Sequence, residues 1–212
     1  NVRLDRGYLA DLLSVRARDE RLGVPRIDAP LRVLIDYSSP NAAKEMHVGH
    51  LRSAILGDCL VRLHAHLGHE VVRQNHLGDW GTQFGMLIER LVETGEGRRG
   101  IADLNAFYKE AKARFDQDEV FAARARRRVV LLQSGDADTR AHWRALIDES
   151  LVHMRSAYRE LGVLLTDEDV RGESAYNPFL AEVVDELLAR GIATETQGAI
   201  GVFVPGVAGK DG

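Results

Sequence analysis

Two histidines stand three positions apart in the segment His47-Val48-Gly49-His50, just before a run of regularly spaced apolar residues. In the first turn of a helix, side chains at i and i+3 point the same way, beside unpaired backbone N–H groups that attract phosphate. Imidazoles donate hydrogen bonds to phosphate oxygens, and Gly49 leaves room for a flat base. The segment therefore predicts a nucleotide-binding turn. The alternative is a histidine that only begins a helix.

Polar side chains fill the loop before these histidines, namely Asp36, Ser38, Ser39, Asn41 and Lys44. A carboxylate such as Asp36 favours a cationic group, whereas Ser39 and Asn41 can hold an ammonium or carboxylate group by hydrogen bonds. Lys44 can face phosphate as a point charge. The same residue types also suit an ordinary turn. We predict a site for an amino acid and a nucleotide and keep the plain turn as the alternative.

Metal binding is a second chemistry open to the histidines, because Cys59, His64, His66 and His69 are residue types that zinc prefers. On a helix, however, His64 and His66 are separated by about 200° and cannot share an ion. Only His66 and His69 could pair, and helical surface histidines are usually just solvated. We therefore predict no metal held by the side chains of this chain.

The segments that carry these residues alternate between strand and helix. Residues 31–36 form a short apolar run that predicts a buried strand, and residues 70–75 predict a second one. Between them, apolar residues recur every four positions from Leu51 to Leu67, and Gly68 closes the predicted helix. A strand, helix, strand unit of this length requires parallel strands, and α/β folds bind ligands at the carboxyl ends of such strands.

The rest of the chain predicts mostly helix, in a doubly wound fold of the α/β class. Apolar spacing predicts a helix through Phe84 and Leu91 that ends near Gly95, then continuous helices over 103–161 that form an insertion in the sheet. Asn177-Pro178 predicts the start of a helix that buries Phe179, Val183, Leu187 and Leu188. Residues 192–194 and 199–204 predict a hairpin, and residues 206–212 a loop.

Composition excludes several classes of protein. The 212 residues carry 28 Lys and Arg against 32 Asp and Glu, a formal net charge of -4, which excludes a generally basic nucleic-acid coat. One cysteine, Cys59, allows no internal disulfide and favours a reducing compartment, so we expect the cytoplasm. No apolar run approaches the roughly 20 residues that span a bilayer, and we expect no membrane partner.

Residues 36–53, DYSSPNAAKEMHVGHLRS, and residues 75–88, NHLGDWGTQFGMLI, resemble the nucleotide-binding fold of the arginyl-tRNA synthetases. The segment 47–50 is similar to the His-Ile-Gly-His signature of the class I synthetases. The Ser-Pro-Asn-x-x-Lys preface and the Gly-Asp-Trp-Gly-x-Gln-Phe-Gly segment single out the arginine enzymes among them. The resemblance implies a Rossmann-like parallel sheet with a helical insertion over about 100–175. Residues 1–30 then end an N-terminal additional domain, and residues 31–212 begin the catalytic domain.

The resemblance also implies a reaction and the residues that serve it. ATP and arginine give arginyl-adenylate and pyrophosphate, and the arginine then passes to its tRNA, so arginine, ATP and the arginine tRNA are the expected partners. ATP is expected as a substrate with Mg²⁺, held mainly by phosphates and water. The catalytic positions implied are His47, His50 and Lys44. The arginine-binding positions are Asp36, Ser39, Pro40, Asn41 and His50, and the ATP-binding positions are His47, Gly49, His50 and Lys44.

The sequence departs from this family in one visible motif, because the second signature, Lys-Met-Ser-Lys-Ser, occurs nowhere in the 212 residues. We therefore expect the chain to be part of a longer protein and to be a poor enzyme or none by itself. One alternative is a truncated, non-catalytic paralogue that binds RNA or protein through the helices at 103–161. A basic cluster there could touch RNA, but a solvated helix face is the simpler interpretation of its residues Arg124, Arg126, Arg127 and Arg128. Another is an adenylate-forming enzyme of the same fold with a different acyl substrate.

Overall fold

The computed structural model describes residues 3–95, 104–196, 198–204 and 206. The described α-helices are α1 (Arg6–Ala17), α2 (Val48–Leu67), α3 (Thr82–Thr94), α4 (Leu104–Gln117), α5 (Glu119–Ser134), α6 (Ala137–Leu161) and α7 (Leu180–Ala189). The described strands are β1 (Arg32–Asp36), β2 (Glu70–Leu77), β3 (Val170–Gly172), β4 (Thr194–Thr196) and β5 (Ala199–Gly201). Residues 103, 197 and 207–212, on which parts of the sequence predictions fall, lie outside the described residues.

A parallel sheet in the order β1-β2-β3 organises the fold. Arg32 of β1 lies opposite Glu70 of β2, and Asn75 of β2 lies opposite Val170 of β3. The predicted α/β class and the parallel β1-α2-β2 unit are confirmed. Helices α3 to α6 lie in the chain between the neighbouring strands β2 and β3. Strand β3 falls inside the range 100–175 expected for the insertion, and the division of the chain into domains stays a prediction.

Helix α2 has the predicted limits but buries a different face. His47 is its N-cap and Gly68, with φ 103°, its C-cap. The buried residues of α2 are Ala54, Gly57, Asp58 and Val61. The predicted apolar stripe is on the outside instead, where Ile55, Cys59 and Leu63 are exposed. The reason lies in Gly57, because a Cβ there would stand 2.2 Å from Cβ of Tyr37. Small residues let the helix approach the chain after β1 more closely than leucines would.

The helices α3 to α6 surround an apolar core that reaches the loop after β1. Phe84, Leu87, Ile88 and Leu91 are buried on α3, as their spacing predicts. The same core contains buried side chains from α4, α5 and α6 together with Ala42 and Ala43, which are fully buried. The loop that carries the candidate site residues is therefore fixed on one side by the helical core.

The C-terminal part of the described chain differs from its predicted form. Residues Glu173–Phe179 form a 3₁₀ helix that contains Pro178, and α7 begins only at Leu180. Phe179 and Val183 are 52% and 49% exposed, so the predicted burial of this helix is wrong. Nothing within the described residues packs over that face closely enough to bury it. The predicted hairpin is confirmed, since β4 and β5 pair antiparallel.

Candidate functional site

Asp36, the last residue of β1, lies where β1 and β2 end. Its carboxylate accepts hydrogen bonds from Ser39 Oγ at 3.0 Å, from the backbone N–H of His76 at 3.3 Å and from Gln74 Nε2 at 3.4 Å. Asp36, Ser39 and Asn41 are all exposed. The structure therefore places these predicted polar side chains at the carboxyl ends of parallel strands, where a ligand can reach them.

The loop with Pro40 and Asn41 is held against the end of β2 by backbone contacts. Gly78 N–H donates to Pro40 O at 3.1 Å, and Ala42 N–H donates to Gly78 O at 3.0 Å. A Cβ on Gly78 would lie 2.0 Å from Asn41 Oδ1, so only glycine leaves room for the Asn41 side chain in its place. No role for Gly78 itself follows from the sequence pattern, although Gly78 lies in the Gly-Asp-Trp-Gly segment.

The backbone of the same loop adopts conformations that non-glycine residues rarely take. Ser38, Ser39 and Ala43 have φ values of 70°, 48° and 59°, in the left-handed region. Pro40, which follows Ser39, is fully buried. Such residues cluster at functional sites and persist only when their surroundings hold them in place. The Ser-Ser-Pro-Asn segment thus has an unusual backbone conformation that the surrounding residues must stabilise.

The two histidines form a reciprocal cap at the start of α2. His47 Nδ1 accepts from Gly49 N–H at 3.1 Å, His50 Nδ1 accepts from His47 N–H at 3.1 Å, and the ring centroids are 3.9 Å apart. An imidazole that accepts through Nδ1 in its neutral form carries its proton on Nε2. Burial, and next the neighbouring His47, lower the pKa of His50, which favours this neutral form. Both rings therefore have an Nε2–H to offer a ligand.

Gly49 lies between these histidines for a reason that the sequence did not indicate. A Cβ at this position would stand 2.9 Å from Cε1 of His47. Any other residue would push the His47 ring out of its capping position. The predicted approach of a flat base to Gly49 stays a prediction.

Lys44 lies on the side of the loop that faces the helices. Its Nζ is 4.6 Å from the centroid of the Tyr108 ring, a cation–π contact with α4. It lines a cavity of about 370 Å³ together with Glu45, Met46, Leu104, Asn105, Ser150, His153, Met154 and Ala157. The structure thus brings Lys44 together with residues of α4 and α6 at this cavity.

Asp79 is a site residue that sequence reasoning did not single out. It is 5% exposed, and its carboxylate accepts from Ser174 N–H at 2.8 Å and from Ser174 Oγ at 2.6 Å. Its backbone oxygen accepts from Trp143 Nε1 at 2.7 Å. Gly172 makes room for it, because a Cβ there would lie 2.2 Å from Asp79 Oδ2. Asp79 therefore ties the ends of β2 and β3 to the helical region.

Two arginines of the predicted basic cluster form ion pairs with acidic residues of α3. Arg124 Nε lies 2.8 Å and Arg128 Nη2 3.0 Å from the carboxylate of Glu89, which is itself 5% exposed. Arg124 also contacts Glu93. Arg124 and Arg128 therefore neutralise acids of α3, and a contact of the basic cluster with RNA stays a prediction.

The remaining histidines of the first βαβ unit also make local contacts. His66 Nε2 lies 3.3 Å from Arg21 O, and His69 Nδ1 accepts from Leu31 N–H at 3.0 Å. Cys59 is exposed. Among the described residues, no group of three or more His, Cys, Asp and Glu side chains is arranged to hold a metal ion.

Comparison with known proteins identifies the family. The family described as "tRNA synthetases class I (R), catalytic domain" matches residues 13–211. The chain belongs to this family. Its resemblance to the arginyl-tRNA synthetases is thereby confirmed. Within the described residues, no helix is both long enough and apolar enough to cross a bilayer.

Relatives and solved structures agree with this family. The chain is 51% identical over 216 residues to the arginine–tRNA ligase of Thermobifida fusca and 52% identical over 215 residues to that of Laribacter hongkongensis. In both cases all of this chain is covered, but only 37% and 38% of the relative. The arginyl-tRNA synthetase of Plasmodium falciparum superposes with a TM-score of 0.67 at 31% identity, over 98% of this chain and 37% of that one. The chain thus spans about 37–38% of the length of these curated relatives.

Proposed function

We propose that this chain supplies the arginine-binding and part of the ATP-binding surface of an arginine–tRNA ligase. In this proposal Asp36, Ser39, Pro40, Asn41 and His50 contact arginine, and His47, Gly49, His50 and Lys44 contact ATP. The observation that carries the proposal is the placement of Asp36, Ser39 and Asn41, exposed at the carboxyl ends of β1 and β2, next in the chain to the histidine cap of α2. Membership of the synthetase family and the names of the relatives support it.

The chemistry needs positioned hydrogen-bond donors more than a nucleophile on the protein. The carboxylate of arginine attacks the α-phosphorus of ATP, a carboxyl oxygen–phosphorus bond forms, and pyrophosphate leaves. Negative charge on the phosphate oxygens is stabilised by the Nε2–H groups of His47 and His50 and by the start of α2. A ribose hydroxyl of the tRNA then attacks the acyl carbon, and AMP leaves. Mg²⁺ accompanies ATP in this proposal and is held by phosphates and water.

We propose the arginine tRNA as the macromolecular partner and the cytoplasm as the location of the protein. The sequence of the relatives extends well beyond the part that this chain matches. We therefore infer that the chain provides one side of the active site and that transfer to tRNA needs further residues.

The direct test is ATP-dependent attachment of radiolabelled arginine to an arginine tRNA by the complete product of the gene that encodes this chain. We expect arginine to be attached and lysine and glutamate not to be. His50→Gln keeps a cap acceptor on α2, since Gln at this helix position serves in capping boxes. We expect it to lower kcat/KM about tenfold, because the amide N–H of a flexible side chain replaces the preorganised Nε2–H of the histidine as donor to the phosphate. A folded, native protein that attaches no arginine would refute the proposal and favour the non-catalytic binding module.

A second measurement tests whether the 212-residue chain binds an arginyl-adenylate analogue by itself. The melting temperature of the 212-residue chain is followed with a non-hydrolysable arginyl-adenylate analogue, and with the lysyl and glutamyl analogues as controls. Binding to the folded state raises the melting temperature, and the rise grows with the logarithm of the ligand concentration once this exceeds Kd. We expect a rise with the arginyl analogue alone and its loss in Asn41→Ala. An equal rise with all three analogues would contradict the assignment of Asp36 and Asn41 to arginine.

A further inference from the structure

Polar side chains on one face of helix α6 contact the two loops that form the candidate site. Trp143, Ser150 and Tyr158 are seven and eight residues apart, about two helical turns each, and so lie in one row. Trp143 binds the loop after β2 through Asp79 O. Ser150 and Tyr158 bind the loop after β1. The last helix of the helical region therefore contacts the site along its whole length.

Ser150 holds the downstream end of the loop after β1. Its Oγ accepts from Ala43 N–H at 2.8 Å and donates to Leu146 O at 2.6 Å. Ser150 is 2% exposed and Ala43 is fully buried, so loss of their hydrogen bond leaves a buried N–H group without its partner. Ala43 has φ 59°, and its strained backbone is thus fixed by a side chain 107 residues away in the chain.

Tyr158 holds the upstream end of the same loop. Its hydroxyl oxygen lies 2.8 Å from Ser38 Oγ and accepts from Asn75 Nδ2 at 3.1 Å. Asn75 Oδ1 in turn accepts from Ser39 N–H at 3.1 Å. Ser38 and Ser39 are the other two residues of this loop with positive φ. Burial raises the pKa of Tyr158, so its hydroxyl keeps its proton near neutral pH.

We propose that Ser150 and Tyr158 are positioning residues that set the shape of the arginine site by holding Ser38, Ser39 and Ala43 in their left-handed conformation. The inference rests on the proposed function, in which Ser39 and Asn41 of this segment contact arginine. Without either hydroxyl, the segment relaxes toward ordinary backbone angles and the side chains of Ser39 and Asn41 move off their positions. The cap of α2 is made within residues 47–50 and does not depend on these bonds.

Steady-state kinetics of arginylation by the complete gene product test the proposal. We expect Tyr158→Phe and Ser150→Ala each to raise KM for arginine about tenfold, as the loss of a buried hydrogen bond does. KM for ATP and kcat should change less than about twofold. The matched controls are Tyr8→Phe on α1 and Ser156→Ala on α6, both at exposed positions, which should leave all three constants unchanged.

A double-variant cycle separates positioning from a general loss of stability. Ser38→Ala removes one of the two partners of the Tyr158 hydroxyl, so Tyr158→Phe should raise KM for arginine by a smaller factor in the Ser38→Ala protein than in the native one. Additive effects, or equal changes in KM for arginine and for ATP, would show that Tyr158 is merely structural and would overturn the proposal.

Hydrogen exchange distinguishes failure of this proposal from failure of the proposed function. In the 212-residue chain, peptides covering residues 38–43 should exchange about tenfold faster in Tyr158→Phe and Ser150→Ala, while peptides of α3 should not change. Suppose that exchange becomes faster in these variants but the complete gene product attaches no arginine. Ser150 and Tyr158 then still stabilise residues 38–43, but their role in arginine binding is overturned together with the proposed function. Native activity with unchanged exchange and unchanged KM would overturn the positioning proposal alone.

Discussion

At the first turn of α2, His47 and His50 each use Nδ1 to accept a backbone hydrogen bond. Protonation of Nδ1 turns this acceptor into a donor and breaks the bond. The same rings would present Nε2–H to phosphate in the proposed function. A single requirement, the neutral imidazole, therefore serves both the structure of the helix start and its chemistry.

This requirement predicts a pH dependence of stability. The pKa of His50 in the folded chain lies below the ordinary value of 6.5, so the unfolded chain binds more protons between the two pKa values. The contribution of His50 to the free energy of unfolding is therefore fully present above about pH 6.5. It is lost as the pH falls through the pKa of His50 in the folded chain. Denaturant unfolding across this range should show a decline that His50→Gln reduces, with similar stability in both proteins at pH 7.5. Identical pH profiles of stability in the native and His50→Gln proteins would contradict this prediction.

Gly78 offers a test of the Asn41 position. Gly78→Ala places a Cβ 2.0 Å from Asn41 Oδ1, and the Asn41 side chain must turn away. We expect KM for arginine to rise about tenfold, with a stability loss of about 1 kcal/mol. The control is Gly201→Ala, whose Cβ would make an ordinary contact of 3.8 Å with Thr196. A Gly78→Ala protein that binds arginine as the native protein does would show that Asn41 does not contact it.

At the scale of elements, the buried acid Glu89 joins α3 to α5. It pairs with Arg124 and Arg128, and Arg128 Nη1 also donates to Thr139 Oγ1 at the start of α6. Removal of one partner from a buried ion pair leaves charges without compensation, and solvent around Arg124 reduces this cost. The three helices are therefore joined by a charge network as well as by apolar contacts.

The network predicts unequal effects for two similar substitutions. Glu89→Gln should lower the free energy of unfolding by about 2 kcal/mol, because two guanidinium groups lose their carboxylate. Glu110→Gln removes one of the two carboxylates beside Arg90. The Glu110 side chain is 64% exposed, so this change should cost less than about 0.5 kcal/mol. Denaturant unfolding of both variants measures the difference. Equal costs would mean that the Glu89 network contributes no more than a surface pair.

Local signals in the sequence identified β1, β2 and the limits of α2, because strand runs, an N-cap and Gly68 act on their own neighbours. The family motifs also predicted the polar residues that the structure brings together at the ends of β1 and β2. The buried face of α2 and the partner of Asp79 could not be predicted in this way. Ser174 is 95 residues from Asp79 in the chain, and such contacts depend on the whole fold.

At the scale of the whole molecule, two apolar cores meet on α6. Leu146 belongs to the core among the helices, and Met154 and Tyr158 belong to the core beneath the sheet. Ala42 and Ala43 of the loop after β1 belong to the first core, whereas Tyr37 belongs to the second. Because α6 and this loop take part in both, the sheet and the helical region stabilise each other.

Elements outside these cores should open first. Helices α1 and α7 have no buried residue, whereas α3 has seven. Local opening costs little where few apolar contacts are lost, so amides of residues 6–17 and 180–189 should exchange on the order of 100-fold faster than those of α3. Native-state hydrogen exchange with mass spectrometry measures this order directly. If α1 or α7 were protected as strongly as α3 in the isolated chain, a surface must cover them in solution, and their exposed apolar side chains, such as Leu13 and Val183, would mark it.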